Sequence, residues 1–503
     1  MQKSIVSRRD FLRLAGSFAL TSILGSTGLA VGKKAARPNI LFIMVDDLGW
    51  SDLGCYGSDL HETKNIDRFA SQSVMFTDAY ASSPVCSPTR ASVLSGKHPA
   101  RINMTVWREA AKRPAWACQG KLLPPITADS LSLEEVTYAE RLKQKGYLTG
   151  HIGKWHVGDF AHFPENHGFD INVGASVWGA PPTYFYPYKG VIYDEPRFVP
   201  DLAMNEEGKY FTDRKGEYLT DRLTDEAMEI MEQAGDRPFF LNLCYHTVHT
   251  PTEGKKKYVE YYKKKIKQGM NHQNAKYAAM VKSLDDNVGR VLAKLKKLKI
   301  ENNTMVIFYS DNGGQINQWD GQTVTNNTPL RSGKGSLYEG GIRVPLMIRW
   351  PGRSKANNKC TEPVTAMDLY ATICEAAKVD YDKKQIDGLS FLKLLKSPNG
   401  NLGRECLYWH YPHYYTNTTS PVTAIRCGDF KLLKYYEDNH VELYNIKQDL
   451  SEQNDLSEKL IDKKDALLKK LNAWCKQVNA QMPEVNPDYK KQNFPALLSV
   501  IQP

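Results

Sequence analysis

Between residues 38 and 350 two hydrophobic rhythms alternate along the chain. NILFIMV (39–45), YLTGHIG (147–153), FFLNLCY (239–245), MVIFYS (305–310) and VPLMIRW (344–350) are near-continuous apolar runs of strand length, the pattern of strands covered on both faces. Between them EEVTYAERLKQKG, LTDRLTDEAMEIMEQAG and AAMVKSLDDNVGRVLAKLKKL place apolar residues three and four apart, as amphipathic helices do. The alternation predicts an α/β fold. Around 397–404 the turn-rich SPNGNLGR reads as a linker; beyond it TAIRCGDFKLLKYY and HVELYNI alternate like antiparallel strands and SEKLIDKKDALLKKLNAWCKQV reads as an amphipathic helix. The expected organisation is a large domain over 31–396 and a smaller α+β subdomain over 397–503.

The first 30 residues have a different character. A basic start, a moderately apolar run and small residues near Gly28 and Ala30 predict a cleavable signal peptide over 1–30. Ser7-Arg8-Arg9-Asp10-Phe11-Leu12 resembles the twin-arginine type, which points to an exported bacterial protein, periplasmic or secreted. Arg13 interrupts the apolar run, which argues against a membrane anchor, and no other run is long enough to span a bilayer. The formal net charge of +10 falls to +7 once this segment is removed, a balance that suits anionic ligands. The lysine runs read as solvated helix faces, and there is no nucleic-acid motif. The 9 cysteines are scattered without metal-finger spacing; some are expected to pair, with Cys86 the candidate for the unpaired one.

In α/β sheets ligands sit beyond the carboxyl ends of the strands. Asp46 and Asp47 follow the first run, Lys154 and His156 the second, His246 and His249 the third, Asp311 and Asn312 the fourth. Each cluster alone could be a turn or a structural histidine, but together they bring three carboxylates, an amide, a lysine and histidines toward one edge. The oxygen donors of Asp46, Asp47, Asp311 and Asn312 make a hard site suited to Ca2+, or to Mg2+, rather than zinc. Carboxylates so close would repel one another without a cation.

The stretch PVCSPTRASVLSG reads as a helix start, with Ser87 as cap and Pro88 at the first helical position, so Cys86 stands at an amino-terminal end that favours anions. Arg90 in the first turn can face the same point.

This stretch is similar to the signature of the type I sulfatases, in which the cysteine is oxidised after translation to formylglycine. RPNILFIMVDDLGWSDLGCYG, GYLTGHIGKWHVG, YHTVHTP, YSDNGG and PLRSGKGSLYEGGIRVPLMIRWPG resemble further blocks of that family, in its order, and the overall likeness is to the arylsulfatase A and N-acetylgalactosamine-6-sulfatase group. The resemblance implies an alkaline phosphatase-like fold: a large mixed, mostly parallel sheet sandwiched by helices, with a smaller carboxyl-terminal antiparallel sheet and helix. It implies a calcium ion held by Asp46, Asp47, Asp311, Asn312 and the modified residue 86. Arg90, Lys154 and Lys334 would hold sulfate oxygens. Asp311 would act as base, His249 and Lys334 would assist the leaving alcohol, and His156 would take the proton whose loss expels sulfate. His246 is set aside, because the family's histidine matches His249.

The resemblance further implies a maturation partner, either a formylglycine-generating enzyme or an anaerobic sulfatase-maturating enzyme. Three segments fall between the family blocks and are expected to set specificity: 103–121, with Trp107 and Arg108; 177–190, rich in aromatics; and YWHYPHYY (408–415), with His410 and His413. The expected substrate is a sulfated carbohydrate, with sulfated galactose or N-acetylgalactosamine preferred. A phosphonate monoester or phosphodiester hydrolase of the same superfamily, and an inactive glycan-binding relative, are the alternatives.

Overall fold

The computed structural model describes residues 37–112, 120–192, 195–205, 208–415 and 419–489. The expected signal segment lies outside these residues, as do Cys118 and residues 113–119 of the first specificity segment.

The central sheet comprises β1 (Asn39–Val45), β2 (Val74–Phe76), β3 (Leu148–Gly153), β4 (Ile171–Val173), β5 (Phe239–Cys244), β6 (Thr304–Ser310), β7 (Leu346–Arg349) and β8 (Asn358–Cys360). Their order is β8-β2-β7-β6-β1-β5-β3-β4. β6, β1, β5, β3 and β4 run parallel. β7 is antiparallel to both β6 and β2, so the sheet is mixed and mostly parallel. β2, β4 and β8 have only three residues each, too few to impose a readable rhythm on the sequence.

Every residue of β1, β5 and β6 is buried, which is why these runs carry no polar alternation. The pleat sorts β1 between two layers: Ile40, Phe42 and Met44 join one core cluster, while Leu41, Ile43 and Val45 join the other. The principal helices are α1 (Cys86–Ser95), α2 (Arg108–Lys112), α3 (Tyr138–Gln144), α4 (Leu219–Gln233), α5 (Ala275–Lys297), α6 (Asp368–Ala377) and α7 (Ile461–Gln477). α1, α3 and α6 cover the first face through Ala91, Tyr138 and Ile373, and α4 and α5 cover the second through Leu223, Ile230, Leu284 and Val288. Each such large side chain, removed from water, contributes roughly 1.5–3 kcal/mol.

The second sheet is an antiparallel meander of β9 (Cys406–Tyr411), β10 (Val422–Cys427), β11 (Phe430–Tyr435) and β12 (Val441–Asn445). α7 closes one face through Leu467, Leu471 and Cys475, packed on Ile425, Leu432 and Leu443. The other face docks on the large layer, where Trp409, Tyr411 and Leu433 meet Val85, Val106, Leu337 and Ile342. A buried ionic group fastens this junction: Lys431 lies 2.9 Å from both Glu339 and Glu452. Register sets Cys406 opposite Cys427 and the two form a disulfide. Cys86 is unpaired, as expected, but so are Cys55, Cys244, Cys360, Cys374 and Cys475, so pairing among the described cysteines is limited to that bond.

Candidate active site

Sheet register brings the polar strand ends together. Val45 pairs with Ser310, and both Met44 and Gly153 pair with Cys244, so Asp46, Asp311 and Lys154 leave the sheet side by side. Backbone bonds extend this order one residue past the strands: Asp311 N–H donates to Val45 O at 3.1 Å and Lys154 N–H to Cys244 O at 2.9 Å. Asp47 and His156 then adopt left-handed backbone, with φ of 57° and 58°. Such backbone costs a non-glycine residue about 1 kcal/mol or more and clusters at functional sites.

α1 starts slightly earlier than the sequence suggests. Val85 is the residue before the helix, Cys86 is its first residue, and Pro88 falls inside the first turn, where its missing N–H has no intrahelical partner to lose. Ser87 does not cap; its hydroxyl accepts from Arg108 N–H at 3.1 Å. Cys86 is 2% exposed at the amino end of α1, its Sγ 3.6 Å from Asp46 Oδ1 and 3.9 Å from Asp47 Oδ1.

Cations interleave with the carboxylates. Lys154 Nζ donates to Asp46 Oδ2 and Lys334 Nζ to Asp47 Oδ2, each at 2.7 Å. Arg90 Nε donates to Asp311 Oδ2 at 2.8 Å and Nη1 to Lys154 O at 2.9 Å, while its Nη2 is buried with no hydrogen bond, 4.0 Å from Asp46 Oδ1. His249 Nδ1 lies 2.7 Å from Thr250 O, and its Nε2 lies 3.5 Å from Asp47 Oδ2. Asn312 Nδ2 donates to Asp47 Oδ1 at 2.8 Å. Residues distant in sequence thus meet in one buried cluster.

The electrostatics follow from this crowding. Burial, reinforced by Asp311 and Asp47, pushes the Asp46 carboxyl up to about 8 even against Lys154. Asp47 is also buried, yet Lys334, His249 and Lys154 hold it well below the usual carboxylate range. Burial raises the Cys86 thiol to about 12. Burial and then Lys334 lower His249 to about 3. His156 falls to about 4 through burial, which outweighs the opposing Glu109 carboxylate.

Does the donor set fit a metal? Asp46, Asp47, Cys86 and His249 each offer an atom within 4.8 Å of the others, and Asn312 Oδ1 is buried with no hydrogen-bond partner. Crowded buried carboxylates, of which Asp46 is pushed toward its neutral form by burial and by its neighbours, beside an orphaned amide oxygen, fit a hard divalent cation.

The specificity residues fare differently. His410 is 2% exposed with Nδ1 on the Thr423 hydroxyl of β10 and Nε2 on Gln481 O beyond α7, so both nitrogens are engaged within the carboxyl-terminal part of the chain. His413, 3% exposed, bonds Thr105 through Nε2 at 2.8 Å and fastens the 103–107 stretch to that sheet. The YWHYPHYY run is therefore largely packing. Arg108 is 3% exposed and donates to Val177 O at 3.0 Å, tying the two expected mouth segments together rather than facing solvent. Trp107 is half-buried, edge-on to Tyr415, whose ring closely covers Gly335 beside Lys334. Two buried or half-buried groups received no role from the sequence: Glu109, 2.6 Å from His156 Nε2, and His246, whose ring nitrogens both lack partners. Glu109 was hidden as a lone acid in a basic stretch.

Comparison with known proteins agrees with this geometry. Residues 38–379 match the family model Sulfatase, and residues 333–481 match that of N-sulphoglucosamine sulphohydrolase, C-terminal. The chain belongs to the sulfatase family and is a sulfuric ester hydrolase. A sulfatase of Formosa agariphila is 33% identical over 476 residues, covering 84% of each chain. The N-acetylgalactosamine-6-sulfatase of Canis lupus familiaris is 31% identical over 431 residues, covering 83% of this chain and 75% of that protein. The crystal structure of Ps i-CgsB superposes with a TM-score of 0.72 at 30% identity, covering 90% of this chain and 94% of that one. Ps i-CgsB has also been crystallised with k-i-k-neocarrahexaose; that complex has a TM-score of 0.72 at 28% identity and covers 92% of this chain and 97% of that one.

Among the described residues no helix is long and apolar enough to cross a membrane.

Proposed function

We propose that this protein is an exported carbohydrate sulfatase working through formylglycine at position 86 and Ca2+, or Mg2+, held by Asp46, Asp47, Asp311, Asn312 and residue 86. The observation that carries this reading is the convergence of Cys86 with Asp46, Asp47, Lys154 and Lys334 through contacts of 2.7–3.9 Å. When present, the hydrated aldehyde supplies two hydroxyls on one carbon, and the divalent ion supplies charge to polarise oxygen.

The remaining roles belong to this chain's own side chains. Arg90, Lys154 and Lys334 bind the sulfate oxygens and stabilise charge as the ester bond breaks. Asp311, kept ionised by Arg90, accepts a proton from the attacking hydroxyl. His249 and Lys334 favour departure of the alcohol, and His156 accepts the later proton whose loss expels sulfate.

The N-acetylgalactosamine-6-sulfatase relatives and the carrahexaose-bound structure support a glycan substrate bearing sulfated N-acetylgalactosamine or galactose. The Cys406–Cys427 disulfide supports an oxidising, extracytoplasmic location, and the signal peptide over 1–30 supplies the route. Conversion of Cys86 requires a formylglycine-generating or anaerobic sulfatase-maturating partner.

The test is a screen of defined sulfated mono- and disaccharides, using protein whose residue-86 conversion has been verified by mass spectrometry. Release of sulfate from a galactose or N-acetylgalactosamine sulfate is expected. Faster cleavage of a phosphate than of a sulfate ester of the same phenol would favour the phosphohydrolase alternative. Binding of sulfated sugars without turnover would favour an inactive glycan-binding protein.

A further inference from the structure

We propose that Glu109 is the positioning residue for His156, holding the proton on Nε2 and leaving Nδ1 as the basic nitrogen of the site. The inference rests on the sulfatase reading for the task His156 performs, but its geometry stands independently.

α2 is anchored to the catalytic helix, since Arg108 N–H donates to Ser87, the residue after Cys86. The next residue, Glu109, spans two partners. Oε2 lies 2.6 Å from His156 Nε2, and Oε1 accepts from Gly179 N–H at 2.9 Å. Although burial opposes ionisation, His156, Gly179 N–H and Arg197 keep the Glu109 carboxyl well below its ordinary range. An ionised carboxylate has no proton to give, so Nε2 must be the donor in this pair. In the neutral ring Nδ1 is then the lone-pair acceptor, and it is buried with no partner.

The ring is confined from a second side. A Cβ on Gly179 would stand 2.2 Å from His156 Cε1, so the 177–180 loop passes as close as a glycine permits. Left-handed backbone at His156 fixes the direction from which the side chain leaves. Lys154 and Arg90 oppose a positive ring, as burial does, and the Glu109 carboxylate is the counter-charge that works against them. When Nδ1 takes a proton, the imidazolium that forms is met by the carboxylate already bonded to Nε2, the division of labour of a histidine and its orienting acid.

Glu109 and Gly179 belong to the two segments that the sequence assigns to the cleft mouth, which gives those segments a catalytic duty beyond specificity. In this role the carboxylate supports the base without touching substrate.

The experiment compares wild type with Glu109→Gln, whose carboxamide has one acceptor oxygen for two donors, and with Glu109→Ala. Nitrogen-15 NMR of histidine-labelled protein, with the His156 signals assigned by their loss in His156→Gln, reads the tautomer directly. Protonated Nε2 and bare Nδ1 are expected in wild type, with a mixed or reversed pattern in Glu109→Gln. Steady-state and quenched-flow kinetics on N-acetylgalactosamine 6-sulfate and galactose 6-sulfate give the second readout. A kcat loss of about tenfold to a hundredfold is expected with KM within about threefold, and a burst of desulfated sugar before slow turnover.

A proton on Nδ1 in wild type, or an unchanged tautomer and kcat in Glu109→Gln, overturns the proposal. So does a loss of activity with the tautomer intact and a lowered melting temperature, which would make Glu109 a packing residue. If verified wild type cleaves no sulfated sugar, the substrate reading fails while the NMR result still decides for or against Glu109.

Discussion

The protonation of His272 offers a quantitative check on how the catalytic turn is supported. Asp52, five residues beyond Asp47, is fully buried; its Oδ2 accepts from Gly49 N–H at 2.7 Å and its Oδ1 from the Thr325 hydroxyl at 2.6 Å. His272, just ahead of α5 and 3% exposed, bridges this carboxylate to another: Nε2 lies 3.3 Å from Asp52 Oδ1, and Nδ1 lies 2.7 Å from Asp59 Oδ1. Burial pulls its pKa down, but the two carboxylates win and raise it from 6.5 to about 9. Neighbouring His61 is lowered to about 4, chiefly by burial, and stays neutral in the same range. Because the folded-state pKa of His272 is raised, its stabilisation is complete below pH 6.5 and is lost as pH climbs through about 9.

A shift of that size corresponds to a ceiling of about 3 kcal/mol; the neutral ring still makes one hydrogen bond, so about 1–3 kcal/mol is the working range. The perturbation is His272→Gln, which keeps a donor and cannot titrate. Urea unfolding of both proteins at pH 6, 7.5 and 9.5 gives the measurement. Wild type should lead at pH 6, and its lead should shrink by about 1–3 kcal/mol by pH 9.5. A lead that is constant across the series would show that His272 carries no charge in the folded protein, and the bridging argument would fail.

Two further outcomes follow from the site. Gly179→Ala places a Cβ 2.2 Å from His156 Cε1, so the ring must yield by about 1 Å to restore normal contact. A displacement of that order costs up to about a hundredfold in kcat; an unaltered kcat in a folded variant would refute the close approach. Exhaustive chelation should abolish sulfate-ester hydrolysis and Ca2+ or Mg2+ should restore it, because Asp46, Asp47 and Asp311 crowd together at the site. Full activity in demonstrably metal-free protein would count against the cation.

The sequence by itself determined five of the large sheet's eight strands and the polar residues that end four of them. Runs such as 39–45 and 304–310 are buried on both sides, and that requirement is written in every residue. The polar residue after each run is forced to the carboxyl edge by the strand, so Asp46, Lys154 and Asp311 could be placed together without coordinates. The starting turn of α1 was legible to within two residues, because proline and a capping-type serine mark such ends ambiguously.

What only the tertiary structure decided concerns partners far apart in the chain. Its aromatics and histidines mark YWHYPHYY as a specificity segment, yet β9 pairs into a sheet whose register turns His410 toward Thr423. Aromatic and histidine composition is the same for a cleft and for a domain junction. Cys406 found Cys427 through strand pairing, which cysteine spacing does not encode. Glu109 reaches His156 because α2 is pinned to α1 and the 177–180 loop folds over both, a meeting of irregular segments with no periodic signature. Hydrophobic periodicity records the burial of each residue, whereas the choice of polar partner depends on how whole layers pack.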